Sequence, residues 1–144
     1  MSSRIADSAM YGHLWGTAET RAVFEERARI QAWLDILAAL ARAQAAEGVI
    51  PVAAAESITK HANVDLLDLD VVAAQTRVTG HSTLGLIAGL RAVLPDDVFQ
   101  HVYVGATVQD LTDTWASTTL RAVGGFVWRD LRRIESLLLD LAQR

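Results

Sequence analysis

From Thr107 to Arg144 the apolar residues Leu111, Trp115, Leu120, Val123, Val127, Leu131, Ile134, Leu138 and Leu141 recur mostly at steps of three and four, and neither proline nor glycine follows them as a stop. A single helix over that span would exceed ~50 Å at about 1.5 Å per residue, longer than a compact domain of this size is wide. Its apolar stripe therefore has to pack against something that the preceding residues do not contain. Gly124 and Gly125 lie inside it. Each glycine costs on the order of 1 kcal/mol relative to alanine in an isolated helix, so the pair fits a place where another helix comes close or where the helix bends. The missing stop is what a helix that runs on, or a chain cut short, would show.

The rest of the chain also reads as helix. Thr17 to Glu47 carries Val23, Phe24, Ile30, Trp33, Leu34, Leu37, Leu40 and Ala41 on one broad face, with Thr17 as the cap, Glu19 in the positive first turn, and Gly48 then Pro51 as the stop. Pro51 opens a short helix to about Ala62, and a loop spans Asn63 to Asp65. Leu67, Val71, Val72, Ala74 and Val78 mark a helix from Leu66 to Val78 that Gly80 ends; Ser82 to Leu94 forms the next, stopped by Pro95. Residues 96–106 follow no clear period. Thr107 caps the last helix, with Gln109 and Asp110 in its first turn. The fold class is all-α.

Several function classes drop out on composition. The chain has no cysteine, hence no disulfide framework or thiolate metal site. A net charge of -4 offers no electrostatic footprint for nucleic acid or an anionic membrane. Met1 to Ala9 includes Arg4 and Asp7 and lacks the apolar stretch of a leader, and no apolar run approaches the ~18 residues of a bilayer span. The expected location is the cytoplasm. His13, His61, His81 and His101 have no metal-ligand spacing, and no phosphate loop, nucleophile elbow or dinucleotide fingerprint is present, so no metal and no cofactor is expected.

Three stretches carry chemical potential. Thr79-Gly80-His81-Ser82-Thr83 lies at a helix junction, where first-turn N–H groups and small hydroxyls suit a carboxylate or phosphate and His81 can add a donor. The alternative is that Ser82 or Thr83 caps the helix and His81 sits on its exposed first turn. His101 to Asp110 repeats the device at the start of the longest helix, where Thr107 and Gln109 can converge on an anionic oxygen. Asp110 and Asp113 either serve chemistry there or complement the helix dipole. Met10 to Thr17, rich in aromatic residues and glycine, either packs over a helix or closes part of a pocket.

Taken in order and spacing, Ala45-Ala46-Glu47-Gly48-Val49-Ile50-Pro51, the turn Thr79-Gly80-His81, and Gly105-Ala106-Thr107-Val108-Gln109-Asp110-Leu111-Thr112-Asp113-Thr114 resemble the adenylosuccinate lyase and 3-carboxymuconate cycloisomerase branch of the fumarase/aspartase superfamily. The resemblance covers nearly the whole chain. It implies an N-terminal helical domain, 1–106, leading from 107–144 into a long helix of a multi-subunit bundle, in a homotetramer whose active sites each draw on three chains. It implies anti β-elimination of an amine or oxygen group from a substituted succinate-like carboxylate, giving fumarate or a related unsaturated acid. On this reading His81 is the catalytic, charge-balancing histidine. Ser82, Thr83, Thr107 and Gln109 bind the small dicarboxylate-type substrate, because the extra charge of an aci-carboxylate needs positioned donors. The general-acid histidine and the base serine of the family would lie beyond Arg144, so the 144 residues alone are expected to be inactive.

Two departures bear on the substrate. Val108 and Gln109 stand where adenylosuccinate lyases carry two hydroxyl residues, and Leu14-Trp15 where they carry an Arg-Tyr pair. Gln109-Asp110 and Tyr11 to Trp15 look more like the 3-carboxymuconate cycloisomerases, yet Val108 replaces their serine and His81 looks more lyase-like. A cycloisomerase is therefore one alternative, and a non-catalytic helical oligomerisation module another.

Overall fold

A computed structural model describes residues 8–144. The reading of residues 1–7 as lacking a leader lies outside the described residues. Six α-helices and no strand are present among them: α1 (Ala18–Val23), α2 (Glu26–Ala46), α3 (Val52–His61), α4 (Leu69–Thr79), α5 (Leu84–Ala92) and α6 (Val108–Ala142). Short 3₁₀ turns at Gly12–Leu14, Val64–Leu66 and Phe99–His101 fill the connections. None of the described helices is long and apolar enough to cross a membrane.

The described chain divides into two compact units, Glu26–Trp115 and the residues up to Glu25 together with Ala116–Arg144. In the first, Ile30, Trp33, Leu34, Leu37, Ala38 and Ala41 form the buried face of α2, spaced as an amphipathic helix requires. That face packs on Ala54, Ala55 and Ile58 of α3, and Leu86, Ile87 and Leu90 of α5 complete the core. Leu34 and Leu90 are 0% exposed, and each fully buried leucine stabilises the fold by about 1.5–3 kcal/mol. Trp115 meets Trp33 edge to face, with ring centroids 6.4 Å apart, and so ties the first part of α6 to α2.

Helix ends follow ordinary capping chemistry. Gly48 and Gly80 adopt positive φ, 70° and 61°, just past α2 and α4, as the expected stops. Asp68 caps α4 by accepting from the N–H groups of Asp70 and Val71. The helix expected from Leu66 thus begins later, because Leu66 belongs to a 3₁₀ turn that Asn63 caps. Likewise α5 begins at Leu84 rather than Ser82.

The long first helix is the clearest correction. Instead of one element from Thr17 to Glu47 there are two, with Phe24 closing α1 by donating its N–H to the Arg21 carbonyl at 2.9 Å. No glycine or proline marks the break. It falls where one compact unit gives way to the other, between the apolar pair Val23-Phe24 and the next core residue, Ile30.

In the second unit Thr17 caps α1 as expected, accepting from the Thr20 N–H at 3.2 Å. Arg21 Nη1 gathers the Gly12 and Gly16 carbonyls at 2.9 and 2.6 Å. Arg129 of α6 grips the Glu19 carboxylate with Nη1 and Nη2, a bidentate pair that holds Glu19 below the usual glutamate range. The 35 residues of α6 make a helix of roughly 52 Å, as the periodicity indicated. Gly124 and Gly125 sit within it, with nothing near the position of a Cβ. Its outer half leaves Trp128, Leu131, Ile134, Leu138 and Leu141 exposed, Trp128 to 61%.

Candidate functional site

The junction of α4 and α5 is built by Gly80. Its left-handed turn lets its N–H return to the Thr76 carbonyl at 2.9 Å and reverses the chain before α5. His81 Nδ1 then lies 3.3 Å from both the N–H and the hydroxyl of Thr83. Accepting from that N–H fixes the tautomer: a neutral His81 carries its proton on Nε2. Thr83 is 0% exposed and occupies the N-cap position of α5 without a side-chain cap bond of its own. The histidine ring thus takes over part of the capping that Ser82 or Thr83 was expected to provide. Ser82 stays exposed and lines a cavity of about 390 Å³ with Arg29, Trp33 and Arg77. The two arginines were not apparent in the sequence, because nothing there brings α2 and α4 to the same cavity as Ser82.

The start of α6 is wired differently. Asp110 Oδ2 accepts from the Thr107 N–H at 2.7 Å and from the Thr107 hydroxyl at 2.9 Å, the acidic half of a capping box. Gln109 Nε2 donates to Asp113 Oδ1 at 2.6 Å. The two aspartates therefore hold the two candidate carboxylate binders. Thr107 and Gln109 are both exposed. Engaging a substrate carboxylate would require the Thr107 hydroxyl proton to leave Asp110, while Gln109 keeps a second N–H for the purpose.

The loop before Thr107 explains how this helix start is aimed. Tyr103 and Gly105 both take positive φ, 67° and 69°, an arrangement tolerated at glycine but strained at tyrosine. Between them, the Val104 carbonyl accepts from Gln44 Nε2 of α2 at 2.6 Å. Gln44 belongs to no motif, so its tie to a carbonyl 60 residues on carries no sequence signal. A cavity of about 350 Å³ lies here, lined by Leu40, Gln44, Tyr103, Gly105 and Asp110. It is distinct from the cavity at Ser82. The two share no lining residue, although Trp33 of that one and Ile36 of this one are only about 4.5 Å apart along α2.

Bonds from the Thr107 N–H and then its hydroxyl hold the Asp110 carboxyl below the usual aspartate value. A carboxyl with a depressed folded value stabilises the cap above its unfolded value, and that stabilisation is lost as pH falls through the folded one. We therefore expect the first turn of α6 to fray only in strong acid. The Thr107 amide resonance followed through an acid titration reports it, and a midpoint at or above the ordinary aspartate range would contradict the capping geometry.

The third stretch forms the wall of a cavity of about 820 Å³, lined by Gly12, His13, Trp15 and Arg21. Among the described residues, no three histidine, cysteine or acidic side chains gather as a metal site. His61 is engaged with the Ser57 carbonyl at 2.8 Å.

The described chain is all-helical, and its small hydroxyl, amide and imidazole groups collect at two helix starts. No family model matches the chain. It is 36% identical over 143 residues to N-acetyl-S-(2-succino)cysteine lyase of Enterococcus italicus, covering 99% of this chain and 31% of that protein. It is 33% identical over 129 residues to adenylosuccinate lyase of Methanocaldococcus jannaschii, covering 90% of this chain and 28% of that one. The solved β-carboxy-cis,cis-muconate cycloisomerase of Acinetobacter calcoaceticus superposes with a TM-score of 0.86 at 29% identity, over 93% of this chain and 32% of that one. The chain is thus a homologue, over most of its length, of lyases and cycloisomerases of the fumarase/aspartase superfamily. It spans about a third of the length of the curated relatives it matches.

Proposed function

We propose that the chain forms the carboxylate-binding part of a lyase that carries out anti β-elimination on a substituted succinate, releasing fumarate or a related unsaturated acid. The observation that carries this reading is the 36% identity to a succinocysteine lyase over 143 residues of this chain, an alignment that spans both helix-start constellations. His81 would balance substrate charge through its Nε2 side, Ser82 and Thr83 would shape that end, and Thr107 and Gln109 would hold a carboxylate. The leaving group is nitrogen, oxygen or, by analogy with that relative's name, sulfur. The division into a site-bearing helical domain, 1–106, and a bundle helix from 107 is part of the same proposal. So are a homotetramer packed along the exposed apolar face of α6 and a cytoplasmic location.

Turnover is measured with the full-length protein, following the absorbance of fumarate-type products from succinocysteine, adenylosuccinate and carboxymuconate substrates. Elimination from a succinyl substrate is the expected result, with none from residues 1–144 alone. Turnover of carboxymuconate only would favour the cycloisomerase reading, which the fold likeness to the Acinetobacter enzyme supports. An intact oligomer that turns over neither class would leave a helical assembly module, the reading favoured by the apolar face of α6.

A further inference from the structure

The cavity between the start of α2 and the α4–α5 pair has a chemistry of its own. Its floor is apolar, formed by Ile30, Val72 and Leu86. Its polar groups are mostly donors. Arg29 and Arg77 both line it, and neither has a carboxylate partner among the described residues. The Arg29 guanidinium lies 5.7 Å from the centroid of the Trp33 ring, which holds that cation against the aromatic wall. Trp33 is itself 8% exposed, and its buried Nε1–H has no acceptor among the described residues. The Ser82 hydroxyl adds another donor, whereas the Thr76 hydroxyl is spent on the Val72 carbonyl at 2.8 Å. Glu26 is the single carboxylate in the lining.

Two guanidinium groups and a hydroxyl above an apolar floor call for a ligand that accepts hydrogen bonds at one end and is greasy at the other. We propose that this cavity is a binding site for a carboxylate carried on an aromatic or branched apolar body, held between Arg29 and Arg77 with its body over Ile30 and Leu86. At about 390 Å³ it lies in the size range of small-molecule sites. The proposal needs no elimination chemistry, and its test reads binding rather than turnover.

The probe is benzoate, titrated into the 144-residue chain while the ¹H–¹⁵N spectrum follows the Trp33 indole, the arginine Nε–H groups and the amides around Ser82. Benzylammonium and benzyl alcohol serve as charge-reversed and neutral controls. Saturable shifts at these positions with benzoate alone are expected. Arg29→Met with Arg77→Met should weaken binding by on the order of tenfold or more, given two charge-assisted bonds lost. Arg29→Lys with Arg77→Lys, which keeps charge and stems, should weaken it less and guards against a folding defect. Equal binding of benzyl alcohol, no saturation with benzoate, or unchanged affinity in the folded methionine variant would overturn the site.

Discussion

Thr107→Val in the full-length protein should lower kcat/KM by on the order of a hundredfold, the usual loss when one positioned donor to a developing oxyanion is removed. The geometry complicates this substitution in a specific way. The Thr107 hydroxyl donates to Asp110, so valine also removes one of the two bonds of that clamp at the start of α6. Two companions separate these effects. Thr107→Ser retains hydroxyl and cap and should keep most activity. Asp110→Ala removes the clamp but leaves the hydroxyl, and should lower thermal stability more than turnover. A valine variant within a few-fold of the parent, with its oligomer intact, would reduce Thr107 to a capping residue.

Gly85→Ala should destabilise the chain by about 3 kcal/mol or leave it unfolded, whereas the same change at an unconstrained helix position stabilises by up to about 1 kcal/mol. Alanine is the better helix former, so intrinsic propensity alone argues for a gain. Packing reverses the sign. A Cβ at Gly85 would lie 2.5 Å from the Val72 carbonyl oxygen and would also overlap Thr76 Oγ1, both on α4. Backbone cannot move aside as a flexible side chain can, so α4 and α5 would have to separate. Gly89→Ala is milder, because it meets the side-chain Cγ2 of Val72 at 2.6 Å, a group with some freedom to shift. Chemical denaturation of both variants checks the order. A Gly85→Ala chain as stable as the parent would mean the two helices are less closely packed than their backbones indicate.

The Thr107 prediction rests on bonds between residues three apart along the chain and the Gly85 prediction on a close approach of α4 to α5, and the same division between local and tertiary runs through the fold. The helix starts at Thr17, Pro51 and Thr107 and the stops at Gly48 and Gly80 are local events, so they were legible. The break at Phe24 was not, because no glycine, proline or capping residue marks it; it falls beside the boundary between the two compact units.

For the site, the sequence by itself determined which side chains stand at the two helix starts, His81 to Thr83 and Thr107 to Gln109, since capping and αL turns depend on neighbours a few residues away. Tertiary structure alone decided what those side chains meet. It gave Ser82 the company of Arg29 and Arg77, and it tied the loop before Thr107 to Gln44. The physical reason is range. A turn or a cap is settled within one or two helical turns of chain, whereas a cavity wall is assembled from residues brought together only when apolar faces are buried against one another.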